Sequence, residues 1–202
     1  MNIHYKIKFY SDWHCGSGLS SGVDLDLLVI KDKDGLPFVP GKTIKGLLVE
    51  AVDEINALSE QKFNDEVKEV FGVFDKKEKA LQGCCFFTNA TIEKELGEAV
   101  KKGQIQAHLF RTIASTAINE NGIAEEHSLR KMEVTIPCEL VGEILFVPDR
   151  FFVKNQTGEM EASGFGERLV EGLKFIKRLG QNRNRGLGRC SFEIIKIEGG
   201  KQ

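Results

Sequence analysis

Two stretches of i, i+3/i+4 apolar spacing, each set among segments that alternate at period two, restrict this chain to an α+β fold. Leu47, Leu48, Ala51, Val52, Ile55 and Leu58 form one helical stripe, which starts near Gly41 to Thr43. Leu169, Val170, Leu173, Phe175, Ile176 and Leu179 form the second, over Phe165 to Leu179. Ile3, Tyr5, Ile7 and Phe9 alternate as a strand with one buried face. Gly83 to Ile92 has the aromatic and β-branched content of a buried strand. Lys131 to Val147 alternates through Met132, Val134, Ile136, Cys138 and Leu140 and predicts one long strand, bulged near Pro137. Cys190 to Ile197 closes the chain as a strand.

The order strand, helix, strand, strand, helix, strand is the split βαβ pattern of ferredoxin-like and RRM-like folds, a βαββαβ core. Val23 to Gly35 reads as one arm of a loop-hairpin before the first helix, and Glu93 to Lys102 as a short helix or an acidic connection. The span 103–130, irregular and centred on Asn121-Gly122, predicts a protruding hairpin inserted between the middle strands. No linker or internal repeat interrupts the chain, so residues 1–202 are expected to form a single domain with a thumb-like insertion at about 103–130.

Composition limits the function classes. The formal net charge of −2 excludes a uniformly basic nucleic-acid magnet, so any RNA-binding face must be local. No apolar run is long enough to span a bilayer, and the N-terminus alternates instead of showing an apolar signal core; no membrane partner and a cytoplasmic location are expected. Cys15, Cys84, Cys85, Cys138 and Cys190 are odd in number and scattered through apolar segments, which predicts reduced core thiols. Neither Cys-x-x-Cys nor His-x-x-x-His spacing occurs, so a structural metal is not expected.

The densest concentration of chemistry runs from Arg178 to Cys190. Gly180, Gly186 and Gly188 permit positive φ and close approach to a ligand, while Arg178, Arg183, Arg185 and Arg189 surround them with fork-shaped cations. That composition suits a phosphate backbone, and a solvated helix-to-strand connection capped by glycine is the competing reading. Lys42 and Lys45, at the start of the first helix, add a second anion-binding candidate. The Ser- and Gly-rich stretch after strand one reads as an exposed loop in which Trp13 and His14 are available to a nucleobase or serve as packing. Gly41-Lys42-Thr43 imitates a nucleotide-triphosphate loop, but Gly35 is one residue too far upstream and Pro37 and Pro40 remove amide donors; no nucleotide or organic cofactor is expected.

Together these pieces resemble one family. Trp13-His-Cys-Gly-Ser-Gly18, Asp26 to Asp32 leading into Gly35 to Gly46, Phe71-Gly72 before Gly83 to Phe87, Arg111 opening the insertion, and the C-terminal Gly-rich loop resemble the RAMP superfamily, within it the backbone subunit of type III CRISPR effector complexes. The resemblance implies a sequence-independent grip on CRISPR guide RNA, with target RNA and other effector subunits as further partners and self-association along the RNA. It implies RNA contacts from His14, Lys42, Lys45, Arg111 and the loop residues Arg178, Gly180, Arg183, Arg185, Gly186, Gly188 and Arg189. It also implies a catalytic aspartate for target cleavage, which falls on Asp26 with Asp24 as the neighbouring alternative, holding Mg²⁺ only when RNA is present. Leu27-Leu28 follow where the family more often has a small residue and proline. Two alternatives share the resemblance: a guide-processing endoribonuclease with a histidine such as His14 as general acid-base, and an architectural subunit that does not cleave.

Overall fold

The computed structural model describes residues 2–19, 25–58, 70–73, 81–147 and 163–198. Its elements are β1 (Asn2–Phe9), β2 (Phe38–Val39), α1 (Gly41–Leu58), β3 (Gly72–Val73), β4 (Leu81–Gln82), β5 (Cys85–Phe87), β6 (Ala90–Thr91) and α2 (Lys94–Lys102), followed by β7 (Phe110–Ser115), β8 (Arg130–Thr135), β9 (Glu139–Phe146), α3 (Ser163–Phe175) and β10 (Cys190–Glu198).

Among the described residues the main sheet has the order β10-β1-β9-β6-β2, with β5 also paired to β9, and its pairings are antiparallel. Counting β5 and β6 together as the second core strand, the spatial order is fourth, first, third, second, the arrangement of a split βαβ fold. The alternation of β1 explains the layering. Ile3, Tyr5, Ile7 and Phe9 are buried against α1 and α3, whose Ile44, Leu48, Leu169 and Leu173 complete one continuous core. The opposite face of the sheet is open and holds cross-strand polar pairs: the Lys6–Glu139 ion pair at 2.9 Å, and His4 Nδ1 beside the Glu143 carboxylate at 3.1 Å. Among the described residues no helix is long and apolar enough to cross a membrane.

Three sequence expectations need correction. The long strand predicted over Lys131 to Val147 is two strands in different sheets, because Pro137 has no N–H to donate; β8 forms its ladder with β7, while β9 joins the main sheet. Gly83 to Ile92 likewise divides into β5 and β6 at Thr88-Asn89, where Thr88 bonds to Glu143 and the Asn89 side chain accepts the Gly41 N–H at 2.9 Å. The second helix ends at Phe175 instead of Leu179, yet Ile176 and Leu179 remain buried from an extended segment. Helical spacing marked the right apolar residues but not the point at which the helix gave way. Glu93 to Lys102 resolves to a helix over most of its length.

The insertion is a hairpin. β7 and β8 pair from Phe110↔Thr135 to Ser115↔Arg130, and an Ile118↔Ala124 bridge extends the ladder toward the tip. At the tip Asn119 Oδ1 accepts the N–H groups of Asn121 and Ile123, and Gly122 takes φ +77°. Ile118, Ile123 and Leu129 are exposed there.

None of the five cysteines forms a disulfide, and Cys15, Cys84 and Cys190 are buried. Burial pushes the Cys15 and Cys190 thiols up to about 12 and Cys138 to about 11. An unfolded chain ionises its thiols near pH ~8.5, so these groups bind protons more tightly when folded. Their contribution to stability is therefore complete below that pH and is lost as pH rises toward 11–12. The melting temperature should be flat from neutral pH to about 8 and fall above about 9. Thermal unfolding in a pH series checks this, and native-state alkylation at neutral pH should leave Cys15 and Cys190 unmodified.

Candidate nucleic-acid interface

The segment directly after β1 is the structural hub of the site, and the exposed loop that its serines and glycines suggest begins only at Gly16. Asp12, Trp13, His14 and Cys15 are all buried, with Trp13 and His14 at 0% exposure. Trp13 stacks on Phe9 with ring centroids 4.5 Å apart and planes 12° from parallel. His14 Nδ1 donates to the Glu133 carbonyl at 2.6 Å, since a carbonyl can only accept, and Nε2 points into the interior beside Gly16. The reading of His14 as an RNA contact is corrected accordingly: its ring is enclosed, because the large apolar area of the adjoining Trp13 draws this stretch into the core.

This segment fastens two outlying parts of the molecule together. On one side the Asp12 carbonyl accepts the Gly188 N–H at 2.7 Å, and the His14 carbonyl accepts the Gln181 N–H at 2.9 Å. On the other, Trp13 and Thr135 exchange main-chain bonds at 3.0 and 2.8 Å, and the Asp12 carboxylate pairs with the Arg111 guanidinium. The Asp12 carboxyl is buried whereas Arg111 is mostly exposed, so the ion pair pins the root of β7 while leaving cationic surface to solvent. The Gly-rich loop and the hairpin root thus share one rigid connection. Sequence reading had not singled out Asp12 or Glu133, since their partners lie far along the chain and no local spacing signals them.

Within the Gly-rich loop the three glycines have different tasks. Gly180 and Gly188, at φ +96° and +68°, leave no room for a side chain: a Cβ would lie 2.5 Å from the His14 oxygen and 1.8 Å from the Leu179 oxygen respectively. Gly186, at φ +92°, faces open space. Main-chain amides that the sequence offers to phosphates are largely engaged within the fold. Gly188 bonds to Asp12, Arg185 and Leu187 to Asn182, and Arg189 to the Ser11 hydroxyl. Gly180 and Gly188 therefore shape the loop, and contact with a ligand falls to its cations and to Gly186.

Those cations are set on the outside. Arg185 is exposed and makes no ion pair among the described residues, and Arg189 is exposed beside Tyr10. Arg178 Nη1 donates to the Arg183 carbonyl at 3.0 Å, which braces the loop's short 3-10 turn. Both terminal nitrogens of Arg183 reach Glu50 Oε2 on α1 at 3.1 Å. An open groove of about 350 Å³ lies between α1 and the segment that follows α3, its wall including Glu50, Glu54, Arg178 and Arg183.

Lys42 and Lys45 line a separate groove of about 220 Å³ with Gly41, Cys85 and the exposed Phe86. The anion-binding expectation for this helix end rested on free amides. The Gly41 N–H is taken by Asn89, and those of Thr43 and Ile44 by the Pro40 carbonyl, so most of the first-turn amides are engaged within the fold.

Asp26 is exposed beside the hairpin, near the Ser115↔Arg130 end of its ladder. Its Oδ2 accepts the Lys131 N–H at 2.7 Å, and its own N–H bonds back to the Lys131 carbonyl at 3.0 Å. Asp24 lies outside the described residues. Among the described residues no group of three His, Cys, Asp or Glu side chains could hold a metal ion. A cation held at Asp26 would need phosphate oxygens and water to complete its shell, which is the habit of Mg²⁺.

Comparison with known proteins follows the same line as the geometry. The family model described as the RAMP superfamily matches residues 6–191. Among solved structures, a chain of the type III-B Cmr-beta assembly, determined by cryo-EM bound to cognate target RNA, superposes with a TM-score of 0.68 at 11% identity, covering 96% of this chain and 97% of that one. A chain of the same assembly in its apo state gives 0.67 at 12% identity, covering 97% and 98%. A chain of a type IV-B CRISPR complex gives 0.62 at 11% identity, covering 100% and 93%. No curated protein is matched by sequence.

Proposed function

The chain belongs to the RAMP superfamily, and on that premise we propose that it is a backbone subunit of a CRISPR effector complex of the type III kind, gripping guide RNA and cutting bound target RNA at Asp26. The observation that carries this reading is the fastening of the Gly-rich loop and the hairpin root to the single segment Asp12 to His14. In this reading RNA phosphates are held by Arg185 and Arg189 of the loop and by Arg111 of the hairpin root, all three exposed. Guanidinium forks hold phosphates without regard to base identity, which suits a subunit that must accept any guide. Similarity to chains of CRISPR assemblies, one of them bound to target RNA, supports RNA and other effector subunits as partners. The exposed Ile118 and Ile123 at the hairpin tip provide apolar surface for bases or for a neighbouring copy.

In this reading Asp26 supplies the carboxylate at which target RNA is cut, and Mg²⁺ bound with RNA would neutralise phosphate charge there. The Lys131 N–H fixes one carboxylate oxygen and so orients the group. The guide-processing alternative loses the histidine named as its example of a general acid-base, because His14 is enclosed in the core.

Asp26→Asn tests the proposal while preserving an acceptor for the Lys131 N–H. Wild type and variant should retain guide-length RNA equally, whereas target cutting in the presence of Mg²⁺ should fall by roughly 100-fold or more in the variant. Undiminished cutting would remove Asp26 from the chemistry. Loss of RNA retention in both proteins would overturn the gripping role itself.

A further inference from the structure

We propose that Tyr10 is a stacking residue for one unpaired nucleobase, at the rim of the Gly-rich loop; the inference rests on the RNA-binding reading above. Tyr10 directly follows β1 and is 50% exposed, in contrast to the buried Tyr5 and Phe9 that precede it on the core face. Strand alternation puts its ring on the open face of the sheet with Lys8. Its position is fixed at two points. The Tyr10 N–H bonds to the Arg189 carbonyl at 2.8 Å, which ties it to the end of the loop, and its hydroxyl meets the Ser191 hydroxyl at 2.9 Å.

Two cations stand over the ring at a distance. Lys8 Nζ and Arg189 Cζ each lie 5.9 Å from the ring centroid, at the outer limit of a cation–π contact, and Tyr10 as a whole stays half exposed. An oriented, exposed aromatic ring with loosely held cations beside it is the unit from which single-strand platforms are built: the ring takes the base, and the cations swing to the flanking phosphates. Further along the open face the ion-pair ladder brings in Glu139, Glu143 and Glu198, whose carboxylates repel a phosphate chain. Stacking is thereby confined to the Tyr10 end, next to Arg189.

Binding of two labelled probes to the full chain tests this: an oligoadenylate, and a phosphodiester of the same length without bases. Tyr10→Leu should weaken oligoadenylate binding by roughly 10-fold and leave the baseless probe unaffected, while Tyr10→Phe should bind both as wild type does. The dependence of affinity on salt should not change in Tyr10→Leu, because no phosphate contact is removed. Equal oligoadenylate binding by wild type and Tyr10→Leu, with Arg185→Ala weakened, would overturn the stacking role and leave the RNA-binding reading standing. An equal loss on both probes would also overturn stacking and make Tyr10 a support for Arg189. Failure of the wild type to bind either probe would overturn both readings.

Discussion

Gly188→Ala is expected to lower the melting temperature by roughly 5–15 °C and to detach the Gly-rich loop from the hub beneath it. Two costs combine. At φ +68° an L-residue is in the left-handed region, which costs about 1–2 kcal/mol. A Cβ there would also stand 1.8 Å from the Leu179 oxygen and 2.9 Å from its carbonyl carbon, both main-chain atoms that cannot rotate away. Relieving that overlap means breaking the Leu179-to-Gly188 and Gly188-to-Asp12 bonds, at 2.9 and 2.7 Å, and overpacking of this kind adds roughly 1–3 kcal/mol. Gly186→Ala is the matched control. It bears the positive-φ cost with nothing within 4 Å of its Cβ, so its loss should be about 1–2 kcal/mol and confined to the loop. Calorimetry of the two variants checks the difference, and equal melting temperatures would mean that Gly188 is not packed as described.

That contrast shows what sequence reading reached and what it did not. The positive φ of Gly180, Gly186 and Gly188 was anticipated from composition. Their separation into two packing glycines and one open one depends on the His14 and Leu179 carbonyls, and no spacing rule brings those two contacts together. The βαββαβ core was legible because β1 and the α1 stripe bury a single face each, and periodicity reports burial directly. The break at Pro137 was misread as a bulge because residues on both sides keep the same alternation, although β8 and β9 belong to different sheets. Local propensity also misplaced Trp13 and His14. Serine and glycine marked the stretch as a loop, whereas tertiary packing of Trp13 on Phe9 decided its burial. Asp12 went unnoticed for a related reason: its partners Arg111 and Gly188 are distant in the chain and meet it only in the fold.

The central claim, a phosphate grip centred on the loop cations, is tested most directly by Arg183→Ala/Arg185→Ala. Arg185 makes no ion pair among the described residues, and Arg183 holds only the partly exposed Glu50, so the double variant should lose about 1 kcal/mol of stability at most and remain folded. If both side chains hold phosphates, affinity for single-stranded RNA should drop roughly 100-fold. The slope of log affinity against log salt should become shallower by about 1.4, since each phosphate contact on a single strand contributes about 0.7. The measurement is co-purification with guide-length RNA, following nucleic-acid content and particle size as salt is raised. The account predicts RNA-bound, multi-subunit particles for the wild type and RNA-free protein for the double variant. Equal RNA content and particle size in the two, or a wild type that carries no RNA at any salt concentration, would contradict it.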